Sequence, residues 1–160
     1  NGKRVQLAEG SIPEFDLRAG ASYGGGYAIE AQVTDGDNTY SADAVRAEWG
    51  IPPAFLQGEL RLSPTRTHVL AVDGPSMIPD LMPGDRVLID LTHTDPRQGG
   101  IFAVREDGGV IIKHVEVVRG SDPPRIVCKS SNPTYSPFEL ILDGENVAII
   151  GRVAGKISRM

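Results

Sequence analysis

The sequence has little of the material from which disulfides, metal sites and membrane spans are made. Only one of its 160 residues is a cysteine, Cys128, and the three histidines are scattered along the chain. An internal disulfide is therefore excluded, and because no cluster has the spacing of a zinc site, we expect neither a metal nor another cofactor. Cys128 lies in a strand-like run and is interpreted as a packing residue. No window approaches the run of about 18 apolar residues that a membrane span needs, so we expect no membrane partner.

Positive charge is also scarce. The chain has 16 Lys and Arg against 21 Asp and Glu, which gives a formal net charge of −5. Nucleic-acid binding needs clustered basic residues to neutralise phosphates, so any DNA contact would have to come from a different segment. The start of the chain has no continuous apolar stretch of the kind found in signal peptides, which predicts a cytoplasmic location.

The composition, with 40% hydrophobic and 23% charged residues, fits one globular domain. Residues 1–26 are rich in turn-forming residues and end in a glycine triplet, so we interpret them as a flexible linker or cleavage-region arm. Residues 27–160 are predicted to form the domain. It opens with a strand-like segment at 27–33, and Ser41 could cap a short helix that ends at Trp49.

From residue 68 onward the pattern is that of short β-strands separated by Gly, Pro, Asp and Asn. Seven strands are predicted, at 68–72, 86–90, 101–105, 110–118, 125–129, 138–142 and 147–153. Asp107-Gly108-Gly109 is typical of a hairpin turn, and Pro83-Gly84-Asp85 is typical of a tight turn before a strand. The sequence therefore predicts a mostly β fold of short antiparallel strands with one short helix.

Lys113 is a first candidate for chemistry. Strand alternation places it on the same face as Ile111, Val115 and Val117, which is the more apolar face of the predicted strand. Burial of an ammonium among aliphatic groups is costly, so such a lysine either extends its amine to water or loses its proton. A neutral amine is a competent general base.

Ser76 is the second candidate, in a turn directly after an apolar strand. The stretch from Gly74 to Val87 reads Gly-Pro-Ser-Met-Ile-Pro-Asp-Leu-Met-Pro-Gly-Asp-Arg-Val. It resembles the Gly-Asp-Ser-Met, Pro, Gly-Asp signature of the LexA-like and phage-type repressors, a family of serine-lysine peptidases known as S24. Lys113 follows Ser76 at the place where that family carries its lysine. The segments 131–135 and 150–153 resemble the family's Asn-Pro-x-Tyr and Gly-Arg-Val sequences.

The resemblance implies a LexA-like peptidase fold and a catalytic pair. Ser76 would attack a peptide carbonyl and neutral Lys113 would take its proton, with motif support from Gly74 and Met77. No histidine is needed, so His68, His93 and His114 are interpreted as ordinary surface or core-edge residues. Members of the family cut their own linker at a small-small bond when an activated RecA filament favours the cleavable conformation. Cleavage then separates an N-terminal DNA-binding domain, outside this chain, from a C-terminal domain that forms homodimers.

Ala19-Gly20 is a bond of this kind and lies inside the predicted arm, so it is the candidate cleavage site. Pro75 is the main departure from the family pattern. Proline has no backbone N–H, so a possible oxyanion donor is missing before the nucleophile, and one lost donor typically costs about 100 to 1,000-fold in rate. The same ring fixes φ near −65° and could instead pre-shape the turn that presents Ser76.

Three functions follow from these observations. The first is the self-cleavage and dimerisation domain of a LexA-like or phage-type repressor. The second is a catalytically silent dimerisation or regulatory module of the same fold, in which Pro75 has disabled the chemistry. The third is a relative of bacterial signal peptidases, which share the serine and lysine pattern but work at the membrane. The lack of a long apolar run disfavours the third.

Overall fold

The computed structural model describes residues 3–16, 31–35, 38–41 and 45–160. In these ranges the chain forms twelve β-strands, and helical structure is limited to a short π-type helix and two 3-10 turns. The strands are β1 Lys3–Gln6, β2 Ile12–Phe15, β3 Ala31–Asp35, β4 Asn38–Ser41, β5 Val45–Trp49, β6 Thr67–Ala71, β7 Arg86–Asp90, β8 Ile101–Glu106, β9 Gly109–Val118, β10 Arg125–Lys129, β11 Phe138–Ile141 and β12 Val147–Ile157. The helical segments are Ala54–Glu59, Pro64–Arg66 and Pro96–Gln98. The predicted mostly β fold is confirmed.

Nine of the strands form one mixed sheet, in the order β11-β10-β9-β8-β12-β7-β6-β2-β5. Every neighbouring pair in it is antiparallel except β2 and β6, which run parallel. The remaining three form a separate sheet in the order β1-β3-β4. The parallel pair matters for the site, because β2 and β6 reach the same end of the sheet and β6 leads directly to Ser76.

All seven strands predicted after residue 67 are present, with ends that differ by a few residues at most except at β12, which continues to Ile157. The hairpin turn is also confirmed. Asp107 and Gly108 connect β8 to β9 with φ angles of 46° and 84°. Two-residue turns with both φ values positive match the twist of antiparallel strands, and Asp-Gly is a preferred sequence for them. Local sequence therefore determines this half of the sheet.

The predicted helix from Ser41 to Trp49 is wrong. Val45–Trp49 is strand β5, which pairs with β2 in antiparallel register from Ile12↔Trp49 to Phe15↔Val45. Ser41 ends β4, and residues 42–44 lie outside the described residues. A short segment of mixed propensity takes the structure that its tertiary partner imposes, and here the partner is β2. The helix that does form, Ala54–Glu59, follows Pro52 and Pro53.

The predicted arm at 1–26 contains two strands, which the sequence did not indicate. β2 is buried throughout, and Ile12, Glu14 and Phe15 are each at most 1% exposed. Part of the strand expected at 27–33 is present as β3, while residues 27–30 lie outside the described residues. The β2 strand is therefore part of the folded sheet.

Three hydrophobic clusters form the core. The first contains Phe15, Leu70, Val72, Met77, Leu81, Val87, Ile89, Ala103 and Ile112. The second contains Phe102, Val104, Val115, Ile126, Cys128 and Val147, and the third contains Ile12, Leu56, Leu62, Val69 and Leu88. Cys128 is fully buried, as expected of a packing residue, and burial raises its pKa to about 11. The first cluster includes Met77, so the turn that carries Ser76 is anchored in the core.

Candidate active site

Ser76 lies in a loop that returns on itself after β6. The amide of Val72 donates to the carbonyl of Asp85 at 2.8 Å, and the amide of Gly84 donates to the carbonyl of Val72 at 2.9 Å. Within the loop, the amide of Leu81 donates to the carbonyl of Met77 at 2.8 Å. These bonds and the buried Met77 side chain, 2% exposed, hold the backbone on the C-terminal side of Ser76.

Lys113 lies on β9, opposite Phe102 of β8, and its Nζ atom is hydrogen bonded to Oγ of Ser76 at 2.6 Å. The residue is only 9% exposed. Burial lowers its pKa, because the charged ammonium loses contact with water. A lysine with a lowered pKa has a larger neutral fraction, and the neutral amine can accept the hydroxyl proton of the serine. The proximity that the sequence predicts for this pair is therefore observed.

Asn132 connects the serine turn to the segment after β10. The sequence did not predict this contact. Its backbone amide donates to the carbonyl of Ser76 at 2.9 Å, and its Nδ2 donates to the carbonyl of Pro75 at 3.1 Å. Its Oδ1 accepts from the amide and the hydroxyl of Thr134 at 3.1 and 2.8 Å. The side-chain amide is thus fixed in orientation. Asn132 therefore binds two consecutive carbonyls, that of Pro75 before the Cα atom of Ser76 and that of Ser76 after it.

Tyr135 completes the surroundings of the lysine. Its amide donates to the carbonyl of Asn132 at 3.2 Å, and the centre of its ring lies 6.0 Å from Nζ of Lys113. This distance is at the outer limit of a cation–π contact. Tyr135 is 43% exposed, so the residue remains largely accessible to solvent. The motif at 131–135 could have indicated a residue of the site, but not that Asn132 would contact the carbonyls of Pro75 and Ser76.

A polar cluster includes His114, the residue next to Lys113 in the chain. Ser131 donates to Oδ2 of Asp80 at 2.6 Å, and Nε2 of His114 lies 3.2 Å from the same oxygen and 2.8 Å from Oγ of Ser131. These bonds, with that from Ser131 the largest cause, lower the pKa of Asp80. His68 is fully buried against Phe15, so it is a core residue and not a surface or core-edge one. His93 packs edge-on to Phe102 at 6.4 Å.

The Ser76 and Lys113 side chains line a cleft of about 250 Å³. Its other lining residues are mostly apolar and are Val72, Asp73, Met77, Val110, Ile111 and Ile112. A second cavity of about 430 Å³ shares Val72 and Asp73 with it and is also lined by Phe15 and Asp16. The end of β2 therefore borders a cavity that shares two lining residues with the cleft of Ser76.

Gly74 and Met77, the residues expected to support Ser76, contribute to the structure in different ways. Gly74 has a φ of 77°, a value that glycine adopts without strain, at the point where the chain turns toward the serine. Met77 fills the core, as described above. In the part of the chain that the structure describes, the amides of Ser76 and Met77 donate no hydrogen bond. Pro75, directly before the serine, has no N–H to donate. Ala19 and Gly20 lie outside the described residues.

The structure thus brings Ser76 and Lys113 together at a cleft in a mostly β fold. The sequence matches the Peptidase S24-like family over residues 27–154. The chain belongs to this family, which is a peptidase family of the LexA-like and phage-repressor type. A comparison with curated proteins gives no match. No helix in the described ranges is long and apolar enough to cross a membrane.

Proposed function

We propose that this chain is the self-cleavage and dimerisation domain of a LexA-like or phage-type transcriptional repressor. The observation that carries the proposal is the 2.6 Å contact between Nζ of Lys113 and Oγ of Ser76 in a cleft. A serine hydroxyl is a weak nucleophile until a base removes its proton, and a buried lysine with a lowered pKa can supply that base in its neutral form. The substrate is the chain's own segment at Ala19-Gly20.

The reaction follows from this geometry. Oγ of Ser76 attacks the carbonyl carbon of Ala19 while its proton passes to the neutral amine of Lys113. The oxyanion is stabilised by the amides of Ser76 and Met77. Collapse of the intermediate breaks the bond to the nitrogen of Gly20, which takes the proton from the ammonium of Lys113. Water then hydrolyses the ester on Ser76, with Lys113 again accepting a proton.

The path of β2 supports Ala19-Gly20 as the bond that is cut. β2 runs parallel to β6, with Glu14 opposite Val69 and Phe15 opposite Leu70. Both strands therefore head toward the loop of Ser76, and Asp16 already lines the cavity that adjoins the cleft. Ala19 is three residues further on, about 10 Å of extended chain. A strand that ends beside the nucleophile delivers the next residues to it at small entropic cost.

A second candidate is the silent dimerisation or regulatory module, and the observation that favours it is Pro75. Without an N–H at this position, an oxyanion hole has one donor fewer, a loss typically of about 100 to 1,000-fold in rate. Pro75 also accepts a hydrogen bond from Asn132, so the turn is well held whether or not it catalyses. In both functions the proposed partners are a second copy of the chain and DNA through a domain outside this chain, and self-cleavage adds an activated RecA filament as inducer.

The test is the amount of intact chain over time at about pH 10, with mass spectrometry of the fragments. We expect cleavage at Ala19-Gly20 in the natural chain and none in Ser76→Ala or Lys113→Ala. Pro75→Asp restores an N–H and should raise the rate if the missing donor is limiting. Cleavage that persists in Ser76→Ala would refute the mechanism. No cleavage in any variant, including Pro75→Asp, would favour the silent module.

A further inference from the structure

Strand β2 lies on the N-terminal side of the proposed cut, and both of its neighbours in the sheet lie on the C-terminal side. It is inserted between β6 and β5 in the nine-stranded sheet. Four residue pairs join it to β5, from Ile12↔Trp49 to Phe15↔Val45, and two join it to β6. A cut at Ala19-Gly20 breaks one covalent bond of the chain and leaves all of these strand pairings in place.

The side chains of β2 are as deeply buried as any in the protein. Phe15 is 1% exposed in the first core cluster, where its ring lies 4.5 Å from that of His68. Ile12 is fully buried in the third cluster with Leu56 and Val69. The strand therefore contributes to two of the three hydrophobic clusters, and its removal would expose both of them to water.

Glu14, at the centre of β2, adds a polar anchor. It is 1% exposed, and its Oε1 accepts from the indole N–H of Trp49 and from Nε of Arg86, each at 3.0 Å. Nε of Arg46 lies 3.6 Å from its Oε2. Withdrawal of β2 would break all of these contacts at once, and β5 would lose its partner strand.

The second sheet contains another pairing across the cut. β1 pairs with β3 in parallel from Lys3↔Ala31 to Gln6↔Thr34, and β1 precedes the proposed bond while β3 follows it. β5, in turn, has β2 as its only neighbour in the nine-stranded sheet. The two sides of the cut are thus joined by pairings in both sheets.

We infer that the groove between β5 and β6 is a strand-binding site for residues 12–15, and that it retains the N-terminal fragment after the chain is cut. This inference rests on the proposed function for the position of the cut. Cleavage and separation are then two distinct steps, and an upstream domain leaves only when β2 is withdrawn from the sheet. Main-chain hydrogen bonds supply affinity in such strand insertions and the buried side chains supply specificity.

The experiment uses an external cut, so that its outcome does not depend on whether Ser76 is active. The full chain carries Ser76→Ala, an N-terminal tag and a recognition sequence for a site-specific protease between Ala19 and Gly20. After that protease has cut, we expect both fragments to elute together in native gel filtration and to separate only in denaturant. Fragments that separate under native conditions would overturn the inference. The fragments could also co-elute only as a dimer in which the groove of one copy holds residues 12–15 of the other. That outcome would overturn the inference as well, because the groove would then bind a second copy and not the chain's own fragment.

Matched substitutions test whether β2 is the contact that retains the fragment. Phe15→Ala should weaken retention on the order of a hundredfold, and Glu9→Ala, an exposed position upstream in the same fragment, should not change it. If Phe15→Ala prevents folding, Glu14→Gln with Glu9→Gln as its control makes the same comparison between a buried and an exposed carboxylate. Equal release of the fragment from the buried variant and its exposed control would contradict the role of β2.

Discussion

In the proposed reaction Lys113 is the general base, so its protonation would set the response to pH. Burial lowers its pKa below the ordinary lysine value of about 10.4, yet Ser76 remains within hydrogen-bond distance of the amine. Cys128 and Glu14 are also buried, but Cys128 lies in the second core cluster and Glu14 is held by two arginines and an indole. Among these buried groups, Lys113 is the one that contacts a hydroxyl in the cleft.

The first prediction concerns the pH dependence of self-cleavage. Because the working form of Lys113 is the neutral amine, the rate should rise about tenfold per pH unit below the pKa of Lys113. It should level off at a pH lower than 10.4, since burial lowers that pKa. Fragment yield from pH 6 to 11 gives the profile. A rate that falls with rising pH, or one that is flat across the range, would exclude a lysine base.

Asn132 is predicted to be a positioning residue. Its Nδ2 bond to the carbonyl of Pro75 helps to fix the backbone beside Ser76, and Asn132→Ala removes that bond while it keeps the backbone bond to Ser76, so cleavage should slow about 10- to 100-fold. Because the lysine itself is unchanged, the plateau of the pH profile should fall while its midpoint stays in place. Asn146→Ala, in the exposed turn before β12, is the control. If the cleavage rate of Asn132→Ala equals that of the control, Asn132 does not position the nucleophile.

At the scale of elements, β12 crosses the centre of the sheet and is closely packed at one position. It pairs with β8 over its first half and with β7 over its second, with a register shift in each pairing. At Gly151 a Cβ atom would overlap the carbonyl oxygen of Asp90 on β7. At Gly155, on the same strand, the nearest atom to such a Cβ is Cδ1 of Leu88 at 3.6 Å, an ordinary contact.

The two glycines provide a matched pair of substitutions. Gly151→Ala should lower the free energy of unfolding by about 1 to 3 kcal/mol, because backbone must shift to admit the methyl group. Gly155→Ala should lower the free energy of unfolding clearly less, because its methyl group would make only an ordinary contact with Leu88. Denaturant midpoints of the two variants measure the difference. Equal midpoints would show that β7 and β12 are not packed as closely as the structure has them.

Strands bounded by local turn residues could be predicted from the sequence, whereas a strand whose conformation depends on a distant partner could not. β7 and β10 match their predicted ranges because turn residues bound them and β-branched residues fill them. The helix predicted at β5 is wrong because the conformation of β5 is imposed by β2, whose paired residues lie 30 to 37 positions earlier in the chain. In the site, Ser76 and Lys113 could be found from a compact motif. The role of Asn132 could not, since it depends on a fold that brings residues 57 positions apart together.

At the scale of the whole molecule, the homodimer stays a prediction. The C-terminal strands at 147–157 are expected to contribute to a two-fold interface, and Ile157 is 40% exposed at the end of β12. Sedimentation at high micromolar concentration should therefore find a dimer, and Ile157→Asp should shift it toward monomer because a charge replaces exposed apolar surface. Monomer alone at that concentration would contradict the prediction.

The most direct measurement of the central claim is the reaction of the intact chain with a serine-directed fluorophosphonate probe, followed by mass spectrometry of the labelled peptide. It tests the activation of Ser76 by Lys113 whether or not the chain is cut. We expect labelling at Ser76 that falls at least a hundredfold in Lys113→Met. Lys129→Met, on the neighbouring strand β10, should label like the natural chain. No label at Ser76, or equal labelling of Ser76 in Lys113→Met, would contradict the assignment.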